Sequence, residues 1–479
     1  MTKKSLFTFL AIALGIFCMV ADQSALMLAL PSISKFFGSD LPTTQWVLVS
    51  YVLAISVSLL PMGRLSDLIG HKRIYVIGFL LFSATTFAAG FAPSIIWLIL
   101  ASFIRGVGSG MTQGTSMALI LSIFAPREGG KALGLFIGIV GIGSAVGPLI
   151  AGVLLSFYSW RILFLILGGL GFVAMVAAII LIESHQVKSM KISEFRFDWL
   201  GAILFTAGLI AFLQGMTWSP NVGYSDPKMI LLFGFSIISI AGFIIWELNT
   251  NDPMMDLRLF KHPLFSLGIG AQFFYFLGTS VTHLLMPFYL QIVLGYSPYQ
   301  IGFFLASGAM SMAIVGTFAG RLSDSFGPIK FMAAGMLICS IGLFLLANLS
   351  MNSSWVLPVT GMVITSFGLG TFYAPNNKLI LSTVPQDFHG VVSGFIHLVR
   401  NSASVISIAA GILIVTTFMA SMGFAPTLSG LSSETEYPIL QSFVKGMRFG
   451  FICFGIVLIV GFVISLSGGR FKETDGAKC

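Results

Sequence analysis

The chain has 479 residues, of which 56% are hydrophobic and 9% charged, with 46 Phe and a mean hydropathy of +0.98. A soluble globular domain carries roughly 25% charged residues, so a water-soluble fold of this length is excluded. The formal net charge of +8 must therefore be read against a membrane before any acidic partner is inferred from it.

Apolar runs of about 20 residues, each long enough to cross ~30 Å of hydrocarbon, recur along the chain. They begin near Phe7, Gln45, Arg73, Ile96, Ala132, Ile162, Trp199, Met229, Leu264, Ile301, Phe331, Val356, Val391 and Phe449, which makes fourteen spans. The first run follows Lys3 and Lys4 and continues to Leu30 without a small-residue cleavage site, so it is expected to be a retained helix. An even number of spans puts both termini on one face. Of the 25 Lys and Arg, 17 fall on that face, among them Arg64, Lys72, Arg73, Arg258 and Arg321; five fall on the other. The remaining three, Arg105, Lys378 and Arg400, lie inside apolar runs.

The positive-inside rule then makes both termini cytoplasmic, and the net charge records topology. No nucleic-acid partner is implied. The expected setting is the lipid bilayer of a plasma membrane (the inner membrane in a bacterium), with the protein a monomer. The four Cys follow no metal spacing, no Walker-type loop for ATP is present, and no clustered His or paired carboxylates suggest an enzyme. No metal or organic cofactor is expected.

The chain also repeats itself. Gly63-Arg64-Leu65-Ser66-Asp67, after the second span, recurs 257 residues on as Gly320-Arg321-Leu322-Ser323-Asp324, after the tenth. Each copy is followed by a glycine, Gly70 or Gly327, and then a lysine, Lys72 or Lys330. Leu119-Ile120-Leu121-Ser122 recurs as Leu379-Ile380-Leu381-Ser382, and Gly108, Gly110 and Gly134 as Gly368, Gly370 and Gly394, all at 260. Parallel halves of this kind build alternating-access carriers. The expected organisation is an all-α polytopic protein: a six-helix bundle over residues 1–184, a linker and inserted helix pair over 185–262, and a second six-helix bundle with a tail over 263–479.

These residues resemble the major facilitator superfamily, in particular its fourteen-helix drug:proton antiporter branch. Gly63–Arg73 (GRLSDLIGHKR) is similar to the superfamily's signature between helices 2 and 3. Asp22 with Ala29-Leu30-Pro31 is similar to the end of the branch's first helix, and Gln45-Trp46-Val47 with Tyr51 to its second. Gly143, Gly147, Pro148 and Gly152 match the antiporter signature GxxxGPxxxG, and Trp160-Arg161 follows as in the branch. Arg105 stands where the family has R-x-x-Q-G, with Gly108 and Ser109 replacing Gln and Gly. The resemblance implies a proton-coupled exporter working by alternating access.

The residues have their own physical reading. Gly143, Gly147 and Gly152 form a small-residue face for close helix approach, and Pro148 would bend the helix there. Gly63 and Gly70 suit a tight turn, while Asp67 would cap the next helix or pair with Arg64 or Arg73. Such a group, with Gly70, Lys72 and Arg73, could latch the bundles together. The copy at Gly320, Arg321, Asp324 and Gly327 lacks the arginine run and is expected to latch more weakly.

An ionisable residue inside the membrane is costly and usually marks a pathway or a proton site. Asp22 is the only acid well inside an apolar run, and counting residues puts Arg105 at a similar depth at ~1.5 Å per residue. A pair that opened and closed with conformation would couple protons to transport. Gln113, Gln272, His283, Asn376, Asn377, Lys378, Arg400 and Asn401 are the further polar candidates for a substrate cavity. One carboxylate and up to three basic groups suit neutral, zwitterionic or anionic amphiphiles at least as well as cations. The function expected is export of hydrophobic drug-like or lipid-like compounds in exchange for protons, the coupling ion. A metabolite uptake or uniport carrier of the same fold, and a non-transporting membrane sensor, are the alternatives.

Overall fold

The structure is a computed structural model that describes residues 3–39, 41–124, 128–182, 198–223, 225–250, 252–424 and 436–467. Lipid leaves backbone N–H and C=O groups without water, so each segment that crosses it must satisfy its own hydrogen bonds, and among the described residues every long element is a helix. In the first half these are α1 (Lys3–Phe37), α2 (Leu41–Ile69), α3 (His71–Ala89), α4 (Ile95–Ile123), α5 (Gly129–Phe157) and α6 (Trp160–Leu181). Next come α7 (Trp199–Val222) and α8 (Pro227–Asn249). The second half contains α9 (Pro263–Thr279), α10 (Val281–Phe288), α11 (Pro298–Phe326), α12 (Pro328–Leu346), α13 (Val356–Leu381), α14 (His389–Ser421) and α15 (Tyr437–Ser467). A π-turn at Tyr289–Val293 extends α9 and α10 into one span, so fourteen spans are long and apolar enough to cross a membrane. The protein is an integral membrane protein.

Helix starts carry the expected chemistry. Ser297 opens α11 with a capping box to Gln300, and Pro occupies the first turn of α8, α9, α11 and α12, where no intrahelical N–H bond is lost. Two positions differ from the sequence expectation. The repeated Gly-Arg-Leu-Ser-Asp segments are not loops: they form the last turns of α2 and α11, and each connection is a single glycine, Gly70 at φ 102° or Gly327 at φ 85°. Only a residue free to take positive φ turns the chain that sharply, so the helix can run to its doorstep. The last span also begins at Tyr437 rather than near Phe449. Arg448, which looks too polar for helix interior, donates to the Ala347 carbonyl past the end of α12 at 2.7 Å, and this lets the helix extend toward the surface.

Within each half the helices approach through glycine. An added Cβ at Gly108 of α4 would stand 2.6 Å from the Gly78 carbonyl of α3, and one at Gly368 of α13 would stand 2.7 Å from the Gly335 carbonyl of α12. These are equivalent contacts in the two copies. The halves meet along two seams, α2 with α14 and α5 with α11, also related by the repeat. α7 packs on both α2 and α14, and α8 packs on α7 and on a short 3-10 turn, Leu257–Lys261. Glu247, near the end of α8, is buried and accepts the Met255 N–H at 3.4 Å, tying α8 to that connection.

The glycine contacts make a stability prediction. Gly108→Val and Gly368→Val each force backbone apart and should each cost about 1–3 kcal/mol or more, seen as a lower melting temperature in detergent. Gly169→Ala, where an added Cβ meets nothing within 4 Å, should melt with the wild type. Equal melting of all three variants would mean that the helices are not in contact there.

Candidate functional site

The repeated segments close one face of the molecule. Asp67, at the end of α2, accepts the Gly390 N–H at 2.7 Å and the Val391 N–H at 2.8 Å, the first free donors of α14. Asp324, at the end of α11, accepts the Gly130 N–H at 2.8 Å and the Lys131 N–H at 2.9 Å at the start of α5. Each carboxylate thus caps a helix of the opposite half, where unsatisfied donors and the helix dipole both favour negative charge. Glycine permits the approach. A Cβ at Gly63 would sit 2.6 Å from the Gly390 carbonyl, and one at Gly320 would collide with the Gly130 carbonyl.

The geometry bears on three expectations. Asp67 is paired with neither Arg64 nor Arg73; Arg64 lies over the Phe388 ring at 5.5 Å, and Asp67 has His71 at 3.6 Å. The second copy makes the same two backbone contacts as the first, at similar lengths. Backbone amides do the holding, so losing the arginine run removes nothing, and Asp324 gains Lys378 at 2.6 Å. Lys378 is therefore joined to this latch. Of the other basic residues, Lys72 donates to the Ile179 carbonyl at 2.9 Å within its own half, and Arg73 and Arg321 are exposed.

Deeper in the first half, Arg105 of α4 reaches Asp22 of α1 at 3.1 Å, with exposures of 0% and 1%. Arg105 also lies over the Tyr51 ring at 4.5 Å and the Phe164 ring at 5.2 Å, so aromatic faces from α2 and α6 share its charge. Tyr51 donates to Ser109 at 3.2 Å, one residue past the substituted Gly108. The Tyr51 side chain also hydrogen-bonds the Asp22 carboxylate, and among the described residues Arg105 Nε and Nη2 have no hydrogen-bond partner. α5 packs against this site: a Cβ at Gly147 would stand 2.6 Å from the Ala21 carbonyl, and one at Gly143 3.1 Å from Val20 Cβ. Those two glycines therefore serve a contact inside the first half. The seam to α11 uses Gly130, Gly134 and Gly141 instead, Gly152 borders open space, and α5 runs unbroken through Pro148.

The cavity candidates separate into groups. Arg400 of α14 lies 3.4 Å from Gln113 Oε1 of α4 and 3.5 Å from the Tyr373 hydroxyl of α13, and its neighbour Asn401 donates to Ser56 of α2 at 3.3 Å. This cluster joins both halves. Gln272 and Asn376, fully buried, hydrogen-bond each other at 2.8 Å between α9 and α13, and Asn377 is buried beside them in sequence. His283 stands exposed on α10. The sequence reading missed the capped amides at Gly130 and Gly390. Their signal was available, since those glycines are themselves a repeat pair at 260.

The sequence matches the family described as Major Facilitator Superfamily over residues 12–408. It is 29% identical over 468 residues to a riboflavin transporter, RibZ, of Clostridioides difficile, covering 96% of this chain and 98% of that one. It is 25% identical over 516 residues to the tetracenomycin C resistance and export protein of Streptomyces glaucescens, covering 98% and 93%. It is 29% identical over 410 residues to the multidrug resistance protein Stp of Mycobacterium tuberculosis, covering 85% and 75%. Among solved structures, the fold is similar to the human organic anion transporter MFSD10, with a TM-score of 0.66 at 11% identity over 96% of this chain and 99% of that one.

The two caps make a symmetric prediction. An amide accepts a weaker hydrogen bond than a carboxylate and does not offset a helix dipole. Asp67→Asn and Asp324→Asn should each loosen this face to a similar degree, with expression near normal. The readout is labelling of a cysteine at Ser393 (in a background without the native cysteines) by a membrane-impermeant maleimide added to that face. Labelling should quicken several-fold in each variant; no change in either would leave the segments as simple helix ends.

Proposed function

The chain belongs to the major facilitator superfamily, and from that footing we propose that it is a proton-coupled antiporter exporting hydrophobic drug-like or lipid-like compounds by alternating access. The observation that carries the proposal is the Asp22–Arg105 pair, 3.1 Å apart and buried to 1% and 0% exposure. Breaking a buried ion pair by neutralising one partner is strongly destabilising, of the order of 3–5 kcal/mol. A proton arriving at Asp22 has that leverage over the packing of α1 on α4. α5 rests on α1 at Ala21 and forms the seam with α11 on its other side. Protonation at Asp22 would thus reach the contact between the halves through one helix.

The excess of Lys and Arg on the latch face favours a cytoplasmic position for it, and for both termini, in a plasma membrane. The two capped helices would then hold the cytoplasmic side shut, and release of both caps would open it. Relatives named for multidrug resistance and for antibiotic export support the export direction. A second reading, a metabolite carrier, is favoured by the relative named as a riboflavin transporter, which aligns over 96% of this chain.

Asp22→Asn retains the size of the carboxylate but cannot titrate. In proteoliposomes with an imposed pH gradient it should abolish gradient-driven accumulation of substrate while leaving binding within about threefold. Asp22→Glu should retain part of the activity. Gradient-driven transport by Asp22→Asn at the wild-type rate would remove the coupling role and leave Asp22 as a structural partner of Arg105. Riboflavin transport indifferent to the pH gradient would establish the carrier reading.

A further inference from the structure

Three cations, Arg105, Lys378 and Arg400, lie inside the apolar runs of the sequence, and the structure pairs two of them with carboxylates. Arg105 is matched by Asp22 and Lys378 by Asp324. Arg400 forms no ion pair among the described residues. Its three contacts, to Gln113 and Asn401 at 3.4 Å and to Tyr373 at 3.5 Å, all go to neutral acceptors. Charge-assisted hydrogen bonds settle at about 2.7–2.9 Å, so these are loose contacts around a guanidinium whose charge is unmatched. Arg400 stands eleven residues into α14, ~17 Å from the latch face at 1.5 Å per residue. Its stem spans less than half of that, so the group cannot escape to the membrane surface, and it is only half-buried. A residue this costly in the membrane interior implies a partner that arrives from elsewhere.

The surroundings suit such a partner. Gln113 and Tyr373 occupy equivalent positions in the two halves, 260 residues apart, so Arg400 sits on the seam between the repeats. Phe276 packs edge-on to Tyr373 at 5.9 Å, and Phe136 of α5 lies 6.5 Å from His397, one turn before Arg400. A fork of donors is thus flanked by aromatic surface contributed by both halves. We infer that Arg400 is the recognition point for an anionic group, a carboxylate, sulfonate or phosphate carried by an aromatic or aliphatic body, and that the transported compounds are anionic amphiphiles. This deepens the exporter reading and rests on it for the word transported, whereas the binding site stands on the geometry alone. A ligand held here touches Gln113 on one side and Tyr373 on the other, so occupancy bears on how the halves meet.

The test uses the purified full chain in detergent, with fluorescein as the anionic probe and rhodamine 6G as the cationic probe of similar ring size, followed by fluorescence anisotropy. Wild type should bind fluorescein more tightly than rhodamine 6G. Arg400→Gln should weaken fluorescein about tenfold or more, because a buried charge contact is lost, and should leave rhodamine 6G no weaker. Arg400→Lys, which retains the charge without the fork, should fall between and still prefer fluorescein; it also guards against a folding defect in the neutral variant. A wild type that binds neither probe or prefers rhodamine 6G, or fluorescein affinity unchanged in Arg400→Gln, overturns the inference. Arg400-dependent binding of fluorescein with no pH-driven accumulation in proteoliposomes supports the site and removes the export reading.

Discussion

Two carboxylates and four backbone amides hold this molecule in the form observed. Asp67 and Asp324 each take two N–H groups from the opposite half, at 2.7–2.9 Å. Helix N-termini always have free donors, and in a low-dielectric setting those donors must be satisfied. By offering its own end to the other half's carboxylate, each half makes its capping depend on the partner. The link is polar and short-range, so a small separation of the helices loses both bonds of a cap together. That suits the release proposed for this face, and Arg64 adds a contact to the Phe388 ring of the opposite half.

The halves are copies in backbone but not in charge. At the repeat positions of Asp22 and Arg105 the second half has Thr279 and Thr365, and at the position of Arg400 the first half has Val140. A duplicated bundle has thereby divided its labour: one copy carries a buried ion pair, the other an unmatched cation on the seam. α4 connects them, since Arg105 and Gln113 are eight residues apart on it, ~12 Å along its axis. The two functions proposed here, proton binding and anion recognition, would then sit at different depths on one rigid element. A change in the α1–α4 contact would be felt at Gln113 without any long relay.

Much of this was legible in the residues themselves. Lipid admits only helices or closed barrels, so fourteen apolar runs had to become spanning helices, and a repeated pentapeptide at 257 had to fall on one face. A lone deep carboxylate and an arginine at equal depth were joined by counting residues at the rise of a helix. These arguments work because each depends on distance along one helix, which sequence supplies directly.

The partners across helices were another matter, and only the tertiary structure decided them. Asp67 holds backbone amides at Gly390 and Val391, and a backbone amide has no residue identity by which a sequence could reveal it. Lys378 and Arg400 look alike in sequence, each a cation in an apolar run flanked by amides. Lys378 faces α11 and finds Asp324, while Arg400 faces α4 and finds only neutral oxygens. Which side of a helix meets which neighbour depends on crossing angles and on glycine contacts such as Gly147 against Ala21, set by all the helices packing together. Residue type fixed that each cation would be costly in the membrane; packing alone determined which one was left without a counter-charge.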